Sequence, residues 1–198
     1  NNNAMGRVCL SLIFAMAFVL SSFAQSSEHL KFKGVPIDGT LNEYVSKMKQ
    51  AGFQLVGTDD GVALLEGEFA GYRGCLIAVS TLNSVNVVNT IGVVFPACED
   101  WSSLEGNYEH LKSMLTTKYG EPADVVEKFQ VYSTPRTNND KLHELLMDRC
   151  TWYTIFETEN GDIQLSLEKG DYGEYFVLLK YFDKINTEAV RSAAMEDL

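Results

Sequence analysis

Histidine is scarce in this chain, with three in 198 residues, and none of His29, His110 and His143 stands at metal-ligand spacing from another. No C-x-x-C and no H-x-x-x-H pair occurs, no G-x-S-x-G elbow, and no glycine loop with the spacing that cradles phosphate. Gly67, Gly71 and Gly74 cluster, but their intervals suit hairpin turns and bulges rather than a nucleotide motif. The sequence therefore points to no catalytic residue, no metal ligand and no cofactor site. Positive charge is also short: 16 Lys and Arg face 27 Asp and Glu, a net charge of −11. A phosphate lattice or an anionic bilayer repels such a chain, which excludes nucleic acid as an expected partner.

Long apolar runs are missing except for one. Arg7 is followed by the uncharged stretch Val8 to Phe23, with Ser22 and Ala24 at the −3 and −1 positions of a cleavage site. That is the three-part layout of a secretory signal peptide. A run of 16 residues is short for a membrane-spanning helix. Asn1 to Ala4, ahead of Met5, read as an added remnant. Residues 1–24 are thus expected to be removed, and the chain from Gln25 to be exported, periplasmic or secreted, with no integral membrane span. Cysteine is then reduced to Cys75, Cys98 and Cys150. An oxidising compartment permits one internal bridge among three thiols. Cys98 and Cys150, at segment edges, are the expected pair; the alternative is three buried free thiols.

What is present is a folded composition, 45% apolar and 11% aromatic. The clearest helix lies between Cys98 and Pro122. Ser102 and Glu105 have the spacing of a capping box, and Leu104, Tyr108, Leu111, Leu115 and Tyr119 recur at helical intervals. Gly120 and Pro122 end it. An earlier helix has the same plan, with Thr40 and Glu43 as cap, Leu41, Tyr44, Val45 and Met48 as stripe, and Gly52 as stop. Strand patterns follow each helix: 53–57, 62–69, 72–81 and 85–95 after the first, and 124–133, 150–158, 162–168 and 175–182 after the second. The tight turns fall at Asp60-Gly61, Asn83-Ser84 and Asn160-Gly161. Residues 134–140 read as an exposed loop, 141–147 as a short helix, and Asn186 as the cap of a final helix.

Short connections make consecutive strands neighbours. The expected fold is α+β: a twisted antiparallel sheet of about eight strands, helices packed on one face, in two helix-plus-four-strand halves, about 29–97 and 98–198, of a single domain at 25–198. The opposite face is then open. Trp152, Tyr153, Tyr175 and Tyr181 are the candidate binding surface, because tyrosine and tryptophan combine contact area with few rotors. On 175–182 the set Tyr175, Val177, Leu179, Tyr181 faces one way and Phe176, Leu178, Lys180, Phe182 the other, so one set fills the core. Two rival activities follow: a non-enzymatic binding domain taking a protein or glycan ligand, and a small hydrolase of polysaccharide or peptide using Glu66 and Glu68.

The phrases F-K-G-V-P-I-D-G-T at 32–40, E-G-E-F-A-G-Y at 66–72, K-Y-G-E-P at 118–122 and Y-F-D-K-I-N at 181–186 resemble a set of uncharacterised exported proteins from Bacteroides-like gut bacteria. The resemblance spans nearly the whole mature chain and implies export and a shared fold, without an activity. In topology alone, the doubled helix-plus-strands plan is similar to the β-lactamase-inhibitor-protein-like fold and to small outer-membrane assembly lipoproteins. Fold likeness carries no function.

Overall fold

The computed structural model describes residues 28–82 and 85–196. The expected signal peptide at 1–24 and the turn at Asn83-Ser84 lie outside the described residues.

The chain enters through a two-residue-per-strand hairpin, β1 (Lys31–Phe32) and β2 (Val35–Pro36). Helix α1 (Leu41–Gln50) follows, and its cap is as expected. The Thr40 hydroxyl accepts from the Glu43 N–H, and the Glu43 carboxylate accepts from the Thr40 N–H at 3.0 Å. A meander comes next: β3 (Gln54–Asp59), β4 (Val62–Phe69), β5 (Tyr72–Leu82) and β6 (Val85–Val94).

Helix α2 (Trp101–Tyr119) begins earlier than the S-x-x-E pattern implies. Its cap is Asp100, whose carboxylate accepts from the Ser103 N–H at 3.0 Å and from the Ser103 hydroxyl at 2.7 Å. Two forces move the start back. A carboxylate suits the positive helix end better than a hydroxyl, and the earlier start buries Trp101 completely. Ser102 instead faces Asn138.

The second meander is β7 (Asp124–Phe129), β8 (Cys150–Thr158), β9 (Gly161–Lys169) and β10 (Tyr175–Asp183). Helix α3 (Asn138–Leu146), capped by Thr137 and Asp140, is inserted between β7 and β8 and starts three residues before the sequence reading placed it. The last helix, α4 (Lys184–Glu196), corrects a second cap: Asn186 lies inside it, and the Asn186 N–H donates to Asp183 Oδ2 at 2.9 Å.

All eight long strands join one antiparallel sheet in the order β3-β4-β5-β6-β10-β9-β8-β7. Each helix-plus-meander half contributes four neighbours, and β6 pairs with β10 at the centre. Helix α1 packs on β3 to β6, and α2 packs on β8 to β10. The core lies between helices and sheet. Tyr44, Met48, Trp101, Leu104 and Tyr108 meet Ile77, Ile91, Val93, Leu165 and Val177, all fully buried. Between α1 and α2 the core includes Phe32 from the entry hairpin, stacked on Phe69 at 5.0 Å and edge-on to Tyr181 at 5.4 Å.

The chain ends are tied at one place. Buried Asp183 accepts from the Leu30 N–H at 2.7 Å and is bonded to His29 Nδ1 at 3.0 Å. The Asn186 amide donates to the carbonyls of Ile37 and Val88. An unmet buried carboxylate is expensive, so these donors are what allow Asp183 to sit there.

The expected Cys98–Cys150 bridge is absent: Cys75, Cys98 and Cys150 are free. Cys98 bridges to Tyr175 of β10, whereas Cys150 opens β8, with β9 between those strands. Three strand spacings amount to about 14 Å, twice the roughly 7 Å Cα separation a disulfide spans.

Candidate functional site

The strand registers define both faces of the sheet. One row of directly opposed residues, crossing all eight strands on the side away from the helices, is Gln54, Glu66, Leu76, Val94, Leu178, Ser166, Tyr153 and Val126. The next row on the same side is Gly57, Leu64, Ala78, Gly92, Lys180, Gln164, Ile155 and Asp124. A third holds Asp59, Val62, Ser80, Thr90, Phe182, Asp162 and Glu157. Burial alternates with this pattern. Val177 and Leu179 are at most 1% exposed, while Phe176, Leu178, Lys180 and Phe182 between them are only half-buried.

Helices α1, α2 and α3 leave this side bare. Helix α4 starts at its end, where the Lys184 N–H donates to the Asn160 carbonyl. Helix α4 also contacts β6, β9 and β10, and its described side chains beyond Asn186 are exposed. The bare face thus has an apolar centre, Leu64, Leu76, Val94, Leu178, Ile155 and Val126, each half-buried. Seven strand spacings give a width of roughly 34 Å, and rows from Phe176 to Phe182 a depth of about 20 Å. The area, on the order of 700 Å², matches what one partner buries in an ordinary protein–protein interface.

The four aromatic residues singled out from sequence are not brought together. Tyr153 stands on the bare face, its hydroxyl donating to Asp124 at 3.0 Å, a bond that holds the phenol above its ordinary pKa. Tyr181 is 4% exposed on the helix side, where burial foremost, and Tyr119 next to it, raise its phenol. Tyr175 is half-buried on the same side, against the core. Trp152 packs there too, edge-on to Trp101 at 5.2 Å and tilted on Phe129 at 5.4 Å. On β10 it is the Phe176 set, not the Tyr175 set, that faces outward.

Glu66 and Glu68 share the bare face, and both are exposed; Glu68 lies 3.7 Å from exposed Arg73. Acid and base roles need an enclosed site that gives two carboxyls different surroundings, and both of these side chains stand open to solvent. The glycine cluster is structural: Gly71 and Gly74 take left-handed φ at the β4–β5 turn, and a Cβ on Gly67 would sit 2.4 Å from the Phe53 ring.

Polar groups converge elsewhere, but within the core layer. Tyr108 hydroxyl meets Thr154 Oγ1 at 2.5 Å and Glu127, which also holds Lys112. Each buried polar atom there has a partner, and the cluster fastens α2 to the β7–β8 edge. Two surface clefts border the sheet. One, about 370 Å³, is lined by Glu157, Asp162, Phe182, Lys184, Thr187 and Glu188 at the end of the bare face. Another, about 430 Å³, is lined by Glu127, Lys128, Phe129, Thr134, Lys141 and Trp152 at the β7 edge. Among the described residues no group of three His, Cys, Asp or Glu is placed to hold a metal ion. No helix among them is long and apolar enough to cross a membrane.

What sequence reasoning missed is the apolar centre of the bare face. Its signal was present in the continuous run Val62-Ala63-Leu64-Leu65, which puts apolar groups on both sides of β4, but only the registers show which of them line up. No family model matches the chain, and neither the curated proteins nor the solved structures contain a match.

Proposed function

We propose that this is an exported, non-enzymatic binding domain that engages a macromolecular partner through the sheet face opposite α1 and α2. One observation carries the reading: apolar side chains at Leu64, Leu76, Val94 and Leu178 run across β4, β5, β6 and β10, with Ile155 beyond Ser166 and Gln164 of β9, on the face that α1, α2 and α3 leave bare. Contiguous apolar surface rimmed by polar residues marks contact sites on proteins. The layout also supports rigid recognition, since β6 and β10 carry the middle of the band at the centre of the sheet, remote from its frayed edges.

The experiment compares capture of an envelope partner by the wild-type protein, by Leu178→Arg on the bare face and by Met114→Arg on α2, in the helix layer on the opposite side of the sheet. Met114 is 42% exposed, so its substitution controls for added charge. The reading expects loss with Leu178→Arg and retention with Met114→Arg, both variants keeping the wild-type melting temperature within a few degrees. Equal capture by all three contradicts it.

A second reading rests on a separate observation. Trp152 and Phe129 line the β7-edge cleft beside Glu127, Lys141 and Thr134, a mixture of aromatic surface and hydrogen-bonding groups that suits a sugar ring. Quenching of tryptophan fluorescence by oligosaccharides, lost in Trp152→Phe, supports it; no quenching by any of them dismisses it.

A further inference from the structure

The partner of the bare face can be narrowed by its charge. Asp59, Glu66, Glu157 and Asp162 are exposed on that face, and Glu68 joins them by strand alternation. The cations on or beside it are Lys180, near the centre, Lys128, at the β7 edge, Arg73, 3.7 Å from Glu68, and Lys184, which lines the cleft at Glu157 and Asp162. Glu157 and Asp162 are directly opposed across β8 and β9. Like charges so placed repel one another; Lys184 in the same cleft offsets one of the two, and a cation from outside offsets the other. They also line the 370 Å³ cleft together with the Phe182 ring, a face suited to an ammonium or guanidinium group. The apolar band runs between these acidic margins.

We infer that the bare face selects a basic amphipathic protein segment, its apolar ridge on the Leu76–Val94–Leu178 row and a lysine or arginine in the Glu157–Asp162 cleft. The inference rests on the proposed use of this face and adds the chemistry of what it takes. A neutral apolar partner would leave the carboxylates unmet at the rim. An acidic partner would be repelled by them, and by the −11 charge of the whole chain. A basic segment satisfies both the band and its margins, and charge steering speeds its approach.

The test uses a synthetic amphipathic peptide of leucine and lysine, about 18 residues or roughly 27 Å as a helix, and a counterpart with glutamate in place of every lysine. Binding is read by fluorescence anisotropy. The leucine–lysine peptide is expected to bind, the leucine–glutamate peptide not to bind. Affinity for the former falls as salt is raised towards 1 M, where the screening length is about 3 Å. The double variant Glu157→Gln/Asp162→Asn weakens it roughly fivefold, in line with two rim charges, and Leu178→Arg removes it. If both peptides bind alike, or the double variant binds as wild type while Leu178→Arg does not, the charge selection is overturned and the use of the face still stands. If the leucine–lysine peptide fails to bind, the inference is overturned. If it binds Leu178→Arg unimpaired, both the inference and the use of this face are contradicted.

Discussion

At the scale of single residues, the carboxylates of Asp38, Glu43, Asp100 and Asp183 do much of the local fastening, and each has a donor that explains its position. Asp38 shows the balance. Burial works to raise its pKa, but the Gly39 N–H, the Asn186 amide and His29 together outweigh it and hold the carboxyl below its ordinary value. A depressed folded-state pKa contributes stability above the unfolded value, near 4, which is lost as pH falls through the lower folded value. Asp38→Asn should therefore lower the melting temperature at pH 7, and the gap to wild type should close by about pH 3. Thermal melts across that range check it; a gap that persists undiminished at acid pH contradicts the assignment.

The thiols make a second residue-scale prediction. Burial pushes Cys150 up to about 12, and burial likewise raises Cys75 and Cys98. Since the thiolate is the reactive form, native protein at pH 8 should label slowly with a thiol reagent. Denatured protein lacking residues 1–24 should show three free thiols by mass. One free thiol and a Cys98–Cys150 cross-link would contradict the strand order that separates them.

At the scale of elements, helix stripes and stops were legible because they depend on neighbours a few positions away. Leu104, Tyr108, Leu111 and Leu115 are buried as their spacing required. Thr40 caps α1 as its motif required. The start of α2 was not legible, since S-x-x-E at Ser102 is a valid motif that loses to Asp100 once Trp101 must be buried. Thr40→Ala is expected to cost about 1 kcal/mol. Asp100→Ala should lower the melting temperature clearly, and Ser102→Ala should leave it nearly unchanged. Urea or thermal denaturation of the three variants decides between Asp100 and Ser102 as the cap.

Strand alternation was equally readable on β10, where two sets of residues were separable by parity. Which set faced inward was not, because both are apolar. The answer depends on β6 and β9, residues far away in sequence, which pair Leu178 with Val94 and Ser166. Aromatic rank misled for the same reason. Tyr181 and Trp152 look like contact residues by type, but the helix layer claims them, and aliphatic Leu76, Val94 and Leu178 are left outside. Export, by contrast, rests on the sequence of residues 1–24 alone.

At the scale of the whole molecule, two helix-plus-meander halves meet at β6 and β10, so the centre of the sheet is also the centre of the bare face. Everything proposed for function follows from that one-sided packing. Helices α1 and α2 hide the inner layer, the entry hairpin fills the gap between them with Phe32, and neither α1, α2 nor α3 covers the outer layer. The acidic margins give the surface a sign as well as a shape.

The most direct measurement places a photo-activatable side chain at position 76, 155 or 178 on the bare face, or at 114 on α2, in protein expressed in its native cells. Irradiation should join a partner to the first three and not to the fourth. Adducts formed at 114 alone, or equally at all four positions, would contradict the account.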